Sequence, residues 1–568
     1  MPPANRLAAA GALLLLLAAT LLIDIHTVRA VIGSQTNVLW RDQWWFLGEM
    51  QSVDEGKNWA EVLWSPFWGH RSVIPRLLFQ ADARYFSFRN GPLLCIGWAS
   101  LILNITLIAA VNRAIFRSFL AWRFAAALIV MLNLYLSSFQ LENLIWAFQF
   151  QYPLIFFCAA LSFVLFALGV RAKRGRLLIF ASCLSALIGS LTMAHGLLIW
   201  PILAIQGVLC KSSRKVRLGL ILIFVILAGV YAIGYQMPQT GMGLRGELKR
   251  PMRALEIALM VLGGPIGNQS LNWGVAAGAV GIAGLIALIF SVYRSREPVW
   301  PSVHVAIALF TAAAAALTAA GRISPELLKQ LLSQGNEILP GRYLTFAFLF
   351  WTSLFTLFLW SVRSGLPAAL KGVVWAAAFV PLYMVFAFAH LQPGVADAWG
   401  DAMHEVDATG TSFLVGAPDW ERQKLLWGDR SQLEKWAAFA RERRLANFSD
   451  DRFLWLNRRL PEQFQLVDRA RCDGKVEGVE RLADSAWRVT GWAWDRTARK
   501  PPADVVLVDL DSRIVGLARS GIRHHDTGGH GAGVVMWRAG WLGYVRAEPK
   551  DIGTIKAYAV VAGGACPI

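Results

Sequence analysis

The chain has 568 residues, 56% of them hydrophobic and only 16% charged, with a mean hydropathy of +0.46. A soluble domain carries about 25% charged residues, so the composition excludes an ordinary cytosolic globule and points to lipid. The formal charge of +18 does not mark a nucleic-acid binder: no nucleic-acid motif accompanies it, and much of the surplus lies in short loops between apolar runs, as the positive-inside rule expects. The remainder suits anionic lipid head groups or a phosphate-bearing substrate.

In chain order, the first apolar run is Leu7 to Ile23, behind the single cation Arg6. Asp24-Ile25-His26-Thr27 makes a poor small-residue cleavage site, so an uncleaved first span entering from the cytoplasm is expected. A hydrophilic stretch follows, residues 27–91, far too long for a simple connection. It reads as a large first outer loop. Further runs of spanning length lie at Pro92–Val111, Phe119–Phe139, Phe148–Val170, Leu177–Leu191, His195–Cys210, Val216–Tyr235, Leu271–Tyr293, Pro301–Ala320, Tyr343–Trp360 and Ala368–Leu391. With the first run, that makes about eleven transmembrane helices.

The basic residues test this count. Arg113, Arg117 and Arg123 lie in or beside one loop, Arg171, Lys173, Arg174 and Arg176 in another, and Lys211, Arg214, Lys215 and Arg217 in a third. The alternate connections, Gln140–Phe148 and Thr192–Ala194, contain no Lys or Arg. Clusters on the cytoplasmic side give an N-in, C-out topology. Ala254–Gly267 is apolar too, but as a span it would reverse the Arg294 and Arg296 loop. It is therefore expected to be a re-entrant or interfacial helix within an outer loop, residues 236–270. Residues 1–391 are thus a transmembrane domain.

Beyond residue 391 the character changes. Residues 392–465 are polar and Trp-rich, with helix-like pieces such as Ser431–Arg443, and read as a helical periplasmic region. Residues 466–568 show short alternating segments at Trp487–Trp494, Val505–Asp509, Ile514–Ala518, Gly533–Arg538 and Ile555–Val560, which predict a small β-sandwich. Cys472 and Cys566 bracket that region. In an oxidising compartment they are expected to form a disulfide. The other cysteines fall in apolar runs and read as small core residues.

The chemistry concentrates in the first outer loop. It opens with Leu39-Trp40-Arg41-Asp42-Gln43-Trp44-Trp45, continues through Pro66-Phe67-Trp68-Gly69-His70-Arg71-Ser72-Val73-Ile74-Pro75-Arg76, and later carries Asp82 and Arg84. A carboxylate at a membrane surface can act as a general base towards a hydroxyl acceptor. Arginine and histidine suit a phosphate oxyanion. The plainer reading is that Asp42 pairs with Arg41 or Arg71 in solvent, while the tryptophans form an interfacial belt. Under the expected topology, Glu142, Asn143 and Gln149, then His195, then Arg322, Arg342 and Tyr343, all reach the same outer face. Either these arginines hold a departing phosphate, or they snorkel at span ends. In the tail, Gly491-Trp492-Ala493-Trp494-Asp495 reads as strand core, the alternative being glycan binding through the tryptophan faces, and Arg523-His524-His525-Asp526 reads as a loop rather than a metal site, since no wider ligand spacing supports one.

A long first outer loop with an acidic residue soon after the first span resembles the GT-C superfamily of glycosyltransferases. The stretches HRSVIPRLL (residues 70–78) and ENLIWAFQFQ (residues 142–151) are similar to those of bacterial membrane proteins of the same architecture. The resemblance covers roughly residues 1–390. It implies a GT-C-like fold and transfer of a sugar from a polyprenyl-phosphate carrier to a cell-envelope glycan or lipid hydroxyl, with Asp42 as base. The expected phosphate ligands are Arg322 and Arg342, with His70, Arg71, Glu142, Asn143, Gln149, His195 and Tyr343 shaping the pocket. The implied place is the bacterial inner membrane with a periplasmic C-terminal module, and the implied partners are the lipid-linked donor, the acceptor and membrane lipid. The Asp-x-Asp form of some of these families is absent, so a divalent cation has no firm ligand set and no metal ligand is assigned. The rival readings are a transporter or flippase for a polyprenyl-linked glycan and a non-catalytic envelope assembly protein.

Overall fold

The computed structural model describes residues 3–117, 122–235, 251–267, 270–322, 341–362, 393–524, 538–548 and 551–568. The chain is mostly helical and ends in a β-sheet. Seven described helices are long and apolar enough to cross a membrane: Leu14–Gly33, Asn90–Phe116, Ala147–Arg171, Arg214–Ala232, Leu271–Tyr293, Val299–Ala320 and Gly341–Ser361. They mark a membrane-embedded protein. The expected Phe119–Phe139 span is instead a pair, Arg123–Tyr135 and Ser138–Ile145, bent by 42°. The short expected pair corresponds to the apolar helices Arg176–Thr192 and Ala194–Leu209. Ala368–Leu391 lies outside the described residues.

Two compact units divide the described structure, and the dividing line cuts through the first loop. One unit holds Met1–Val31, Leu63–Leu77 and Leu94–Ala396; the other holds Ile32–Val62, Leu78–Leu93 and Asp397–Ile568. The linear division at residue 391 is therefore redrawn: much of the first loop belongs with the C-terminal half.

In the membrane unit, the first helix runs from Pro3 to Gly33, well past the expected end at Ile23. Hydrophobicity alone stops at Asp24, but Thr20, Asp24 and Thr27 fall on one buried face. Thr20 accepts a hydrogen bond from Asn133 at 2.9 Å, so polar side chains continue the helix inside the protein. The segment expected to be re-entrant forms one helix, Pro251–Gly267, packed on Leu271–Tyr293. Glycine permits that approach: a Cβ on Gly263 would lie 1.8 Å from the Gly274 carbonyl oxygen.

In the other unit, the loop contributes the helix Asp42–Asp54 and the end of the helix Val73–Phe86. Thr36 donates to Asp407 at 2.9 Å, Asn37 to Asp450 at 2.7 Å, and the Trp40 indole to the Leu425 carbonyl at 3.0 Å. These bonds explain why the loop joins the C-terminal segment. Ser431–Arg443 appears as the helix Arg430–Glu442, capped where Asp429 accepts from the Gln432 N–H.

The expected β-sandwich is corrected to one sheet. Strands β1 (Cys472–Ala483), β2 (Ala486–Asp495), β3 (Asp504–Val508), β4 (Ile514–Ile522), β5 (Gly540–Arg546), β6 (Lys556–Val561) and β7 (Gly564–Pro567) pair antiparallel in the order β1-β2-β5-β4-β3-β6-β7. Cys472 in β1 and Cys566 in β7 form the expected disulfide. They sit on the two outermost strands, so the sheet curls into a half-barrel that brings these two edge residues to 6.2 Å, Cα to Cα. One face gathers Val489, Ala493, Val505, Leu507, Trp541 and Val545 into a core. The other is met by the helical segment: Tyr544 donates to Asp419 at 2.9 Å, and Arg519 binds Asp407 and, at 2.7 Å, Asp504. Strand β1 was not foreseen because its Asp, Lys, Glu and Arg residues mask the alternation; β5 was missed because two of its seven residues are glycine. The expected Gly533–Arg538 strand falls almost wholly outside the described residues.

Candidate functional site

The polar cluster of the membrane unit forms where the chain breaks between two apolar helices. A 3-10 turn, Ser138–Gln140, leads into the short helix Leu141–Ile145; Trp146 is extended, and a second 3-10 turn, Ala147–Phe150, precedes the next span. Irregular backbone between membrane helices is tolerated where it is buried in protein or lines a water-filled cavity. Here Gln140, Glu142, Asn143, Gln149 and Gln151 are all buried.

Glu142 and Arg342, both expected in the pocket, meet directly. One Glu142 oxygen accepts from the Arg342 guanidinium at 2.5 Å, and the other accepts the Arg342 backbone N–H at 3.1 Å. Arg342 also lies over the Tyr343 ring, 4.9 Å from its centre. Its guanidinium is thus paired with a carboxylate on one side and about a quarter exposed. Asn143 donates to Thr345 at 2.6 Å, and Thr345 donates to Gln140 at 2.9 Å, so the same broken segment is stitched to the first turns of Gly341–Ser361. The side-chain oxygens of Asn143 and Gln149 accept no hydrogen bond from the described protein. Arg322 ends the helix Val299–Arg322, but its side chain lies outside what is described.

His70 and His195 come together, their rings 5.7 Å apart. The Ala194 N–H donates to His70 Nδ1 at 3.2 Å, which leaves Nε2 to carry the proton of the neutral ring. His195 Nε2 is 3.0 Å from the Thr318 hydroxyl, and its ring is 5.4 Å from Phe346, one turn along from Arg342.

Arg71 is the least expected of the group. Its side chain is fully buried, yet its guanidinium donates only to carbonyl oxygens: Trp64, Tyr231 at 3.4 Å and Ile233 at 2.5 Å. Its backbone N–H donates to the Tyr231 hydroxyl at 2.6 Å. Among the described residues no carboxylate pairs with it. Burial, and the like charge of Arg76, push its proton affinity below the ordinary arginine range, against the Tyr231 and Tyr235 hydroxyl groups. It stays cationic at neutral pH.

Asp42 belongs to the other unit. It is the first residue of the helix Asp42–Asp54 and is half-buried. The preceding Arg41 takes a positive φ of 50°, donates its N–H to the Leu426 carbonyl at 2.7 Å, and lays its guanidinium 4.3 Å from the Trp40 ring centre. A first-turn carboxylate gains from the helix dipole.

The sequence reasoning missed Tyr231, whose hydroxyl and carbonyl both hold Arg71; it sits in an apolar run and carries no local signal. The Trp492-Ala493-Trp494 stretch also differs from expectation: Ala493 enters the core, so Trp492 and Trp494 point to the opposite face and are half-buried. Trp541 is the core tryptophan instead. Among the described residues, no three or more His, Cys, Asp or Glu side chains are grouped to hold a metal ion. No protein-family model, curated protein or solved structure matches this chain.

Proposed function

We propose that the chain is a GT-C-type glycosyltransferase of the bacterial inner membrane, with about eleven spans, N-in and C-out. It moves a sugar from a polyprenyl-phosphate carrier to a hydroxyl on a cell-envelope glycan or lipid. In this reading the acceptor oxygen attacks the anomeric carbon and its proton passes to Asp42. The bond from that carbon to the carrier phosphate breaks, and the phosphate leaves with the electron pair. A fixed cation facing the leaving oxyanion lowers the barrier most.

The observation that carries the proposal is Arg71. A buried guanidinium that meets only carbonyl oxygens among the described residues is costly unless an anion completes it. His70, its sequence neighbour, accepts the Ala194 N–H at Nδ1 and is the second residue assigned to the donor site in this reading. Arg71 and His70 are therefore the proposed phosphate ligands, and the Glu142–Arg342 pair braces the broken segment, residues 138–150.

The test is transfer of radiolabelled sugar from polyprenyl-phosphate donors by the full chain in detergent. Asp42→Asn is expected to lower turnover at least a hundredfold, and Arg71→Lys at least tenfold through donor KM. An Asp42→Asn protein as active as the parent removes the proposed base; unchanged donor KM in Arg71→Lys removes the phosphate site.

A further inference from the structure

One helical turn beyond Asp42 stands an aromatic cluster that the proposed chemistry leaves unused. Trp45, on the helix Asp42–Asp54, has 37% of its surface exposed. Its ring centre lies 6.5 Å from those of Trp427 and Trp436, which are 5.4 Å from each other. Trp436 comes from the helix Arg430–Glu442 and packs against Gly48, where a Cβ would sit 2.3 Å from the indole. The rings are oriented by their N–H groups: Trp45 donates to Glu49 at 3.0 Å and Trp427 to Gln432 at 3.0 Å. Leu425 beside them is 48% exposed.

We infer that this cluster is the docking platform for the acceptor, and that the acceptor is a neutral saccharide rather than a lipid. This rests on the transferase reading for Asp42's role. Trp45 is three residues from Asp42 on one helix, so both project to neighbouring positions on its surface. A sugar ring stacked on the Trp45 indole would place a hydroxyl near the carboxylate. Indole faces match the apolar faces of sugar rings, and the Glu49 carboxylate and Gln432 amide, which orient the two indoles, are hydrogen-bonding groups of the kind sugar hydroxyls meet.

Charge argues for this occupant. The two helices that carry the platform also bear Lys435 on Glu55 at 3.0 Å, Arg443 on Asp54 at 2.6 Å and Arg430 on Glu434 at 2.8 Å. These pairs are internally balanced, and the carboxylates nearest Trp45, Glu49 and Asp42, give an anionic ligand no attraction. They are also well exposed, and sinking the patch into lipid would strip their water.

The test uses the full chain in detergent, titrated calorimetrically with neutral gluco-, manno- and galacto-hexasaccharides, and floated with zwitterionic and with anionic vesicles. At least one hexasaccharide is expected to bind, and Trp45→Ala and Trp427→Ala each to weaken it tenfold or more, while Trp45→Phe retains most of the affinity. Saccharide binding is measured without any sugar donor, so loss of the transferase reading leaves this result standing on its own. Thermal midpoints equal to the parent's identify the variants as folded. Binding to none of the three hexasaccharides overturns the inference. So does unchanged saccharide affinity in both alanine variants, or a loss confined to vesicle flotation, which would make the cluster a lipid anchor.

Discussion

Glu142 holds Arg342 twice, through its guanidinium and its backbone N–H, across 200 residues of chain. The acid is almost wholly buried, and the arginine is a quarter exposed. Removing one partner strands the other in a low-dielectric site.

Arg342→Ala and Glu142→Ala are each expected to cost about 3–5 kcal/mol. The double variant should cost clearly less than their sum, because neither charge is then left alone. Thermal and denaturant unfolding in detergent measures the cycle, and strict additivity would show that the pair does not interact. Glu142→Gln should recover part of the loss by keeping the bond to the Arg342 N–H.

Asp82 makes the protein's stability depend on pH. Its carboxyl is buried, neither oxygen accepts a hydrogen bond from the described protein, and burial pushes its pKa up to about 7. In the unfolded chain it titrates near 3.9. The folded state therefore keeps a proton that the unfolded state has lost. The contribution is fully favourable below about pH 4, declines as pH rises, and levels off above about pH 7. Asp82→Asn should flatten that decline, raising the unfolding midpoint at pH 8 and leaving it nearly unchanged at pH 4. Parallel pH curves for parent and variant would refute the assignment.

Reduction should loosen the C-terminal sheet selectively. The Cys472–Cys566 bridge closes a 94-residue separation between the two edge strands, and such bridges typically contribute about 2–5 kcal/mol. Dithiothreitol, or Cys566→Ser, should expose β6 and β7 amides to hydrogen exchange before those of the membrane helices. Equal protection with and without reductant would show that the bridge carries no stability.

The amino-acid order alone determined the parts whose cause is local. Apolar runs long enough to span lipid, the basic residues between them, and the alternation in β2, β3, β4 and β6 are short-range signals, because hydrophobic periodicity is written within one element. The disulfide was legible from two cysteines bracketing one polar segment. Tertiary structure decided what depends on distant segments meeting. Arg342 and Arg71 look alike in sequence, as arginines beside apolar runs. Folding brings a carboxylate to the first and, among the described residues, only carbonyl oxygens to the guanidinium of the second, so only the first has a described counter-charge. The same holds for the first loop, which reads as one hydrophilic stretch but is divided between two units. Hydrogen bonds from Thr36, Asn37 and Trp40 to partners more than 370 residues away draw its first part to the C-terminal half, and no local pattern encodes a partner at that range.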